Sequence, residues 1–222
     1  IPLSEANHRI LAEDVHAHYD YPHFRRAGMD GYAILASDDH DFPREFNVRG
    51  EIQAGATWDQ PLQPGDAVRI MTGAYVPSDA GKVIRIEKTR PAEDKNKVQI
   101  ITTESKTNIT ETGTDVKSGD IVLAKDQEIN PGGLAVLTAF GVQEVTVYKK
   151  PRIAIIATGT ELLGPNETIE QGKIFNSNGI MLKNLVEETG GIVDFETQLP
   201  DDANLIKQTL EEQIATHEIV IT

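Results

Sequence analysis

Apolar residues follow two different rhythms along this chain. Between positions 46 and 101 they alternate with polar ones in short runs, interrupted at Gly55, Pro61, Pro64-Gly65-Asp66, Gly73, Pro77 and Pro91. Period-two alternation with frequent turn residues predicts strands over 32–35, 46–52, 67–71, 83–87 and 97–101, in a small β domain. From position 153 the rhythm changes. Ile153 through Ala157 form an unbroken apolar run, as a buried strand does. Ile180, Leu182, Leu185 and Val186 then recur near helical spacing, with Ser177 or Asn178 as the cap and Gly190-Gly191 as the stop. A strand over 192–196, a helix over 203–215 carrying Leu205, Ile206, Leu210 and Ile214, and a strand over 218–222 complete a β-α-β-α-β order. Right-handed crossovers make three such strands parallel, as in half of a doubly wound sheet.

Other elements frame the β stretch on both sides. Leu3, Ile10, Leu11 and Val15 predict a short N-terminal helix capped by Ser4, leading into an extended segment where His16 and His18 alternate as a conceivable metal pair. Pro131 suits the first turn of a helix over 131–140, with Gly141 past its end and a strand over 142–148 after it. The expected architecture is a mixed α+β and α/β multidomain chain. Positions 1–18 and 119–149 form an elongated domain, 19–118 an inserted β domain, and 150–222 a partial doubly wound α/β domain. Its third ligand loop is expected beyond Thr222, so the chain reads as the N-terminal portion of a longer protein.

Composition narrows the chemistry. With no cysteine among 222 residues, disulfides, zinc-thiolate centres and Cys nucleophiles are excluded. No run approaches the ~20 apolar residues of a membrane span. The formal net charge is −14, and Lys and Arg occur at most in pairs, so no basic nucleic-acid footprint is present. An acidic protein still binds an anionic ligand when a divalent cation stands between carboxylate and phosphate. Candidate chemistry sits at turns. Thr158-Gly159-Thr160-Glu161 follows the strand at 153–157, where open α/β sheets bind ligands, though a plain polar loop has the same pattern. Asp30, between Gly28 and Gly31, is either a turn residue or a carboxylate on a tight loop.

These features stand in a known order. Met29-Asp30-Gly31-Tyr32-Ala33, Met71-Thr72-Gly73-Ala74 with Val76-Pro77, and Gly113-Thr114-Asp115 come first. The segment 131–141, Pro151-Arg152-Ile153-Ala154 with Thr158-Gly159-Thr160-Glu161-Leu162, and Asn176-Ser177-Asn178 follow. Over essentially the whole chain they resemble the MoeA family, the molybdopterin molybdenumtransferases, which include the E domain of gephyrin. The resemblance implies an elongated, cytoplasmic, homodimeric protein of four-domain subunits. It implies insertion of molybdenum from molybdate into adenylylated molybdopterin, releasing AMP with the help of Mg²⁺. By motif match it carries over Asp30, Thr72, Asp115, Glu161 and Asp201 as catalytic residues, read as four clustered carboxylates and a hydroxyl. It carries over Thr158, Gly159, Ser177 and Asn178 as cofactor-binding residues. The chain departs from the family at several positions. Arg25 and Ala27 replace the usual Asp and Ser, Thr110 and Thr112 replace frequent arginines, Asn176 replaces Asp, and Thr160 stands where many relatives carry Asp. Arg25 and Arg26 are read as restoring positive charge. The alternative is a catalytically weakened family member acting as a binding or scaffold module.

Overall fold

The computed structural model describes residues 1–222 as two compact units, Asp14–Leu123 and a second made of Ile1–Glu13 with Ala124–Thr222. The first is built on a six-stranded sheet of β1 (Gly31–Leu35), β2 (Arg44–Ile52), β3 (Asp66–Ile70), β4 (Ala80–Arg85), β5 (Thr89–Pro91) and β6 (Lys97–Ile100), in the order β4-β1-β3-β2-β6-β5. Only β2 and β3 run parallel. Alternation along the strands divides the buried side chains between the two faces. Ala33, Val68 and Val83 join one cluster, and their chain neighbours Ile34, Ala67 and Ile84 join the other. Phe46 and Ile52 share parity in β2 yet belong to different clusters. Arg49 and Gly50 together stand opposite the single residue Val68, so a bulge flips the face partway along the strand. Trp58 packs on Gly50 at this kink, where a Cβ would lie 2.9 Å from its ring.

The expected strand at 83–87 begins earlier and ends at Arg85. The next three residues, Ile86–Lys88, turn as a 3-10 helix, and Ile86 N donates to Asp30 O at 3.0 Å. Two short antiparallel ladders are also present, one of them within the extended segment expected around His16. Arg26–Ala27 pairs with Ile109–Thr110, and Val15–His16 pairs with Ile121–Leu123.

In the second unit the expected N-terminal helix is absent. Only Leu3–Glu5 forms a 3-10 turn, with no side-chain cap, and His8 takes a positive φ of 59°. A helix this short is marginal in water. Leu11 instead bridges Val147 and is fully buried, worth about 2 kcal/mol of apolar burial. The expected strand at 142–148 is likewise reduced to isolated bridges, Glu144 to Pro2 and Val147 to Leu11. Helix α1 (Pro131–Ala139) forms as expected; Asn130 caps it, accepting from Gly133 N at 2.9 Å.

The α/β part of this unit comprises β7 (Arg152–Thr158), α2 (Ser177–Glu188), β8 (Ile192–Leu199), α3 (Ala203–Ile214) and β9 (Ile219–Ile221). All three strands are parallel, in the order β8-β7-β9. The central strand β7 buries Ile153, Ala154, Ile155 and Ile156. Between β7 and α2 lies an additional parallel pair, Leu162–Leu163 with Ile174–Phe175. No helix is long and apolar enough to cross a membrane.

Candidate functional site

The C-terminal edge of β7 opens on a cavity of about 310 Å³, bordered by Thr158, Glu161, Asn176, Ser177 and Asn178. Thr158 is the last residue paired with β8, opposite Leu199. Gly159 then takes φ +152°, its N–H donating to Leu199 O at 3.0 Å. A side chain there would be strained and its Cβ would lie 2.8–3.0 Å from the Glu161 carboxylate, so glycine gives Glu161 its place. Thr160 is tied to the loop after β8. Its N–H and Oγ1 donate to Asp201 Oδ2 at 3.2 and 2.9 Å, and Asp201 N donates back to Thr160 Oγ1 at 3.2 Å. Lys173 Nζ adds a bond to Thr160 O at 2.7 Å. The threonine hydroxyl supplies the donor that an Asp at 160 would lack beside Asp201.

The Glu161 side chain is exposed and makes no hydrogen bond or ion pair. Facing the same cavity is the start of α2. Its cap is Asn176, not Ser177 or Asn178: Asn176 Oδ1 accepts from Gly179 N at 3.0 Å. Asn caps a helix about as well as Asp. Asn176 therefore caps the helix without placing a charge on the cavity wall. The first N–H groups of a helix have no partner within it, so Ser177 and Asn178 present donors here.

A second group of candidates lies in the β unit. Asp30 Oδ1 accepts from Thr72 Oγ1 at 2.6 Å and from Thr72 N at 2.7 Å. The hydroxyl bond first, then the backbone bond, hold the Asp30 carboxyl below its ordinary 3.8. The folded value lies below the unfolded one. These bonds therefore stabilise the fold above the unfolded value, and the contribution is lost as pH falls through the folded value. Thr72→Val removes the hydroxyl and keeps the N–H. The Asp30 carboxyl resonance should then titrate closer to 3.8; an unmoved titration curve would contradict the role given to the hydroxyl.

Three loops are knitted around this pair. Gly73 N donates to Ala27 O at 2.8 Å, Ala27 N to Ala74 O at 3.0 Å, and Gly28 N to Asn108 O at 2.8 Å. Asp115 hangs on the third loop, its N–H donating to Tyr21 O at 3.0 Å and its carboxylate 3.6 Å from Arg26. Arg26 also lies over the Tyr21 ring, 5.7 Å from its centroid. Arg25 does not restore free positive charge. Its guanidinium binds both Glu111 carboxylate oxygens, at 3.0 and 3.2 Å, and donates to the carbonyls of Pro77, Ser78 and Ala80. It is a clasp within the unit. Thr110 serves as the strand partner of Arg26.

The four candidate carboxylates are divided between the two units, Asp30 and Asp115 in the first, Glu161 and Asp201 in the second. No group of three or more His, Asp or Glu side chains is close enough to hold a metal ion. Asp30 is held by Thr72, Asp115 faces Arg26, Asp201 is held by Thr160, and Glu161 is free. His16 Nδ1 lies 3.0 Å from Gly119 O. A further lowered carboxyl, Asp194, owes its shift first to the Arg152 side chain, 2.5 Å away. Sequence reasoning missed Lys173 and the Asn176 cap. Asn176 had a signal, standing three residues before Gly179 and just after the apolar pair Ile174-Phe175. Lys173 had none.

A family model described as MoeA N-terminal region (domain I and II) matches residues 1–141, and one described as probable molybdopterin binding domain matches residues 154–222. The chain is 41% identical over 226 residues to a molybdopterin molybdenumtransferase of Staphylococcus aureus strain Mu50, covering all of this chain and 54% of that protein. A molybdopterin molybdenumtransferase of Staphylococcus epidermidis is 38% identical with the same coverage. Among solved structures, a molybdopterin biosynthesis moeA protein from Pyrococcus horikoshii OT3 superposes with a TM-score of 0.90 at 38% identity, covering 99% of this chain and 59% of that one. The chain spans about half the length of the curated relatives it matches.

Proposed function

The chain belongs to the MoeA family, and from that premise we propose that it acts in molybdenum cofactor biosynthesis, inserting molybdenum from molybdate into adenylylated molybdopterin with release of AMP. One observation carries this reading: a free carboxylate, Glu161, and the capped start of α2 border one cavity at the C-terminal edge of a parallel sheet. A helix start and a strand-end hydroxyl suit phosphate oxygens. In this reading Ser177 and Asn178 donate to the phosphate group, Thr158 adds its hydroxyl, and Gly159 keeps the approach open. Asp201 positions Thr160, and through it the turn that carries Glu161.

Mg²⁺ is usually held by one or two carboxylates together with substrate phosphates, seldom by an all-protein cage. Glu161 is the carboxylate that fits such a shared site, because its oxygens have no protein partner. The ion would neutralise phosphate charge as AMP leaves. Asp30, kept ionised by Thr72, and Asp115 beside Arg26 are assigned to the same reaction, in orienting phosphoryl groups and polarising water. The protein is proposed to be a cytoplasmic homodimer with molybdate and adenylylated molybdopterin as substrates and no nucleic-acid or membrane partner. The test is complementation. The full-length protein, expressed in cells lacking their own insertion enzyme, should restore molybdoenzyme activity. Soluble, folded protein that restores none would overturn the proposal.

A further inference from the structure

Between Gly159 and Leu163 every main-chain carbonyl is bound within the chain. Gly159 O accepts from Leu162 N at 3.3 Å, Glu161 O from Ile174 N at 2.9 Å and Leu163 O from Asn176 N at 2.9 Å. The carbonyls between them accept from side chains. Thr160 O takes Lys173 Nζ at 2.7 Å, and Leu162 O takes Gln198 Nε2 at 2.7 Å. A surface loop can leave such groups to water; this one does not. Lys173 is brought to its carbonyl by its own turn, where Gly172 takes φ +84° and Lys173 N donates to Glu170 O at 3.1 Å. Lys173 and Ile174, adjacent in the chain, thus grip the adjacent carbonyls of Thr160 and Glu161. The Lys173 ammonium makes no ion pair, so its charge strengthens the one bond it has. Gln198 stands on β8 opposite Ala157 and ties the turn to the sheet.

The Glu161 side chain, by contrast, has no partner in the protein. A free carboxylate takes its precision from the backbone that carries it. We propose that Lys173 and Gln198 are positioning residues for the reaction, fixing the main chain at 160–162 so that the Glu161 carboxylate meets substrate in one place. This rests on the reading that Glu161 takes part in that reaction. Neither residue borders the cavity, so each acts through the turn and not by touching the ligand. Reacting groups must be held to within about 0.5 Å, and a misplacement of about 1 Å costs on the order of 100-fold in rate. The main-chain bonds of the turn come with the fold. The bonds from Lys173 and Gln198 depend on side chains, so they can be removed one at a time.

The experiment follows AMP release from adenylylated molybdopterin by the full-length protein, with amide hydrogen exchange as a second readout. Lys173→Met keeps the aliphatic stem and loses the donor. It should lower kcat about tenfold or more and leave KM within about twofold. Lys173→Arg, which keeps a donor and the charge, should recover most of the loss, and Gln198→Leu should behave as Lys173→Met does. In a Glu161→Gln background, Lys173→Met should change kcat by less than about twofold, because the group it positions is already gone. The Lys173 bond is exposed, so water serves the vacated carbonyl and the fold persists. Exchange at the Leu162 amide should quicken while the strands keep their protection. An equal loss of kcat in both backgrounds would overturn the positioning role. So would unchanged exchange at Leu162, or an unchanged kcat in Lys173→Met beside an impaired Glu161→Gln. Each of these leaves the proposed function standing. A Glu161→Gln protein as active as the wild type removes the role along with the part given to Glu161. Wild-type protein that releases no AMP would remove the proposed function itself, and this role with it.

Discussion

Glu161→Gln is expected to lower turnover by about 100-fold or more while leaving the fold intact. Glutamine keeps the size and shape of the side chain and removes its charge. The wild-type carboxylate is exposed and makes no hydrogen bond or ion pair, so no protein partner is orphaned. What holds this residue in place is main-chain: Ile174 N donates to Glu161 O at 2.9 Å, a bond that the substitution keeps. The loss should therefore fall on chemistry. A carboxylate that shares Mg²⁺ with substrate gives a second sign, because raised Mg²⁺ should recover more activity in the variant than in the wild type. Turnover within threefold of wild type at ordinary Mg²⁺ would remove Glu161 from the reaction. A drop in thermal stability matching the drop in rate would turn it into a structural residue.

Gly31→Ala should be the most damaging small substitution in the β unit, costing on the order of 3 kcal/mol or more. Gly31 opens β1 and pairs with Ile70 on one side and Arg85 on the other. A Cβ built on it would lie 1.9 Å from Ile84 O and 2.8 Å from Ile84 C. Those are backbone atoms of the adjoining strand β4, so no side-chain rotation relieves the clash. The strands must separate, and Asp30, one residue away, must move with them. Chemical denaturation is the measurement, and an unchanged midpoint would show that the ladder yields at little cost. The conspicuous Asp30-Gly31 pair thus joins two demands: a carboxylate that meets Thr72 and a backbone that admits no side chain.

Strands of the β unit were legible from short apolar or alternating runs bounded by turn residues, alternating where one face is exposed, as along Arg44–Ile52, and nearly continuous where both are buried, as along Asp66–Ile70. The bulge at Arg49 and Gly50 was not, since it appears only when β2 is laid against β3. The α/β order was legible for a related reason: β7 is an unbroken apolar run, and α2 and α3 follow it at helical spacing. The N-terminal segment misled. Leu3, Ile10 and Leu11 have helical spacing, but Leu11 is buried by a bridge to Val147, a contact far off in sequence. Candidate residues could be named from motif order, yet their division of labour could not. Whether a carboxylate is free, as Glu161 is, or held, as Asp30 and Asp201 are, depends on partners more than 40 positions away. Arg25 makes the same point, a surplus cation in the sequence and a saturated clasp in the fold.

The short ladder that pairs Val15 with Leu123 bears on how the chain assembles during synthesis. It brings the two ends of the β unit side by side. Outside it, Leu11 N donates to Gln127 O at 3.0 Å, a contact that closes a loop of roughly a hundred residues if the β unit is still a coil. Once the β unit has folded and its ends are zipped, that loop shrinks to the few residues beyond the ladder. The entropy of closure falls accordingly, so a ribosome-bound chain gains by completing the insert before residues 1–13 find their partners. The ladder thus lowers the entropic cost of joining residues 1–13 to the segment after Leu123. For the same reason, the stretch between Val15 and Leu123 is open to lengthening by evolution at small thermodynamic cost.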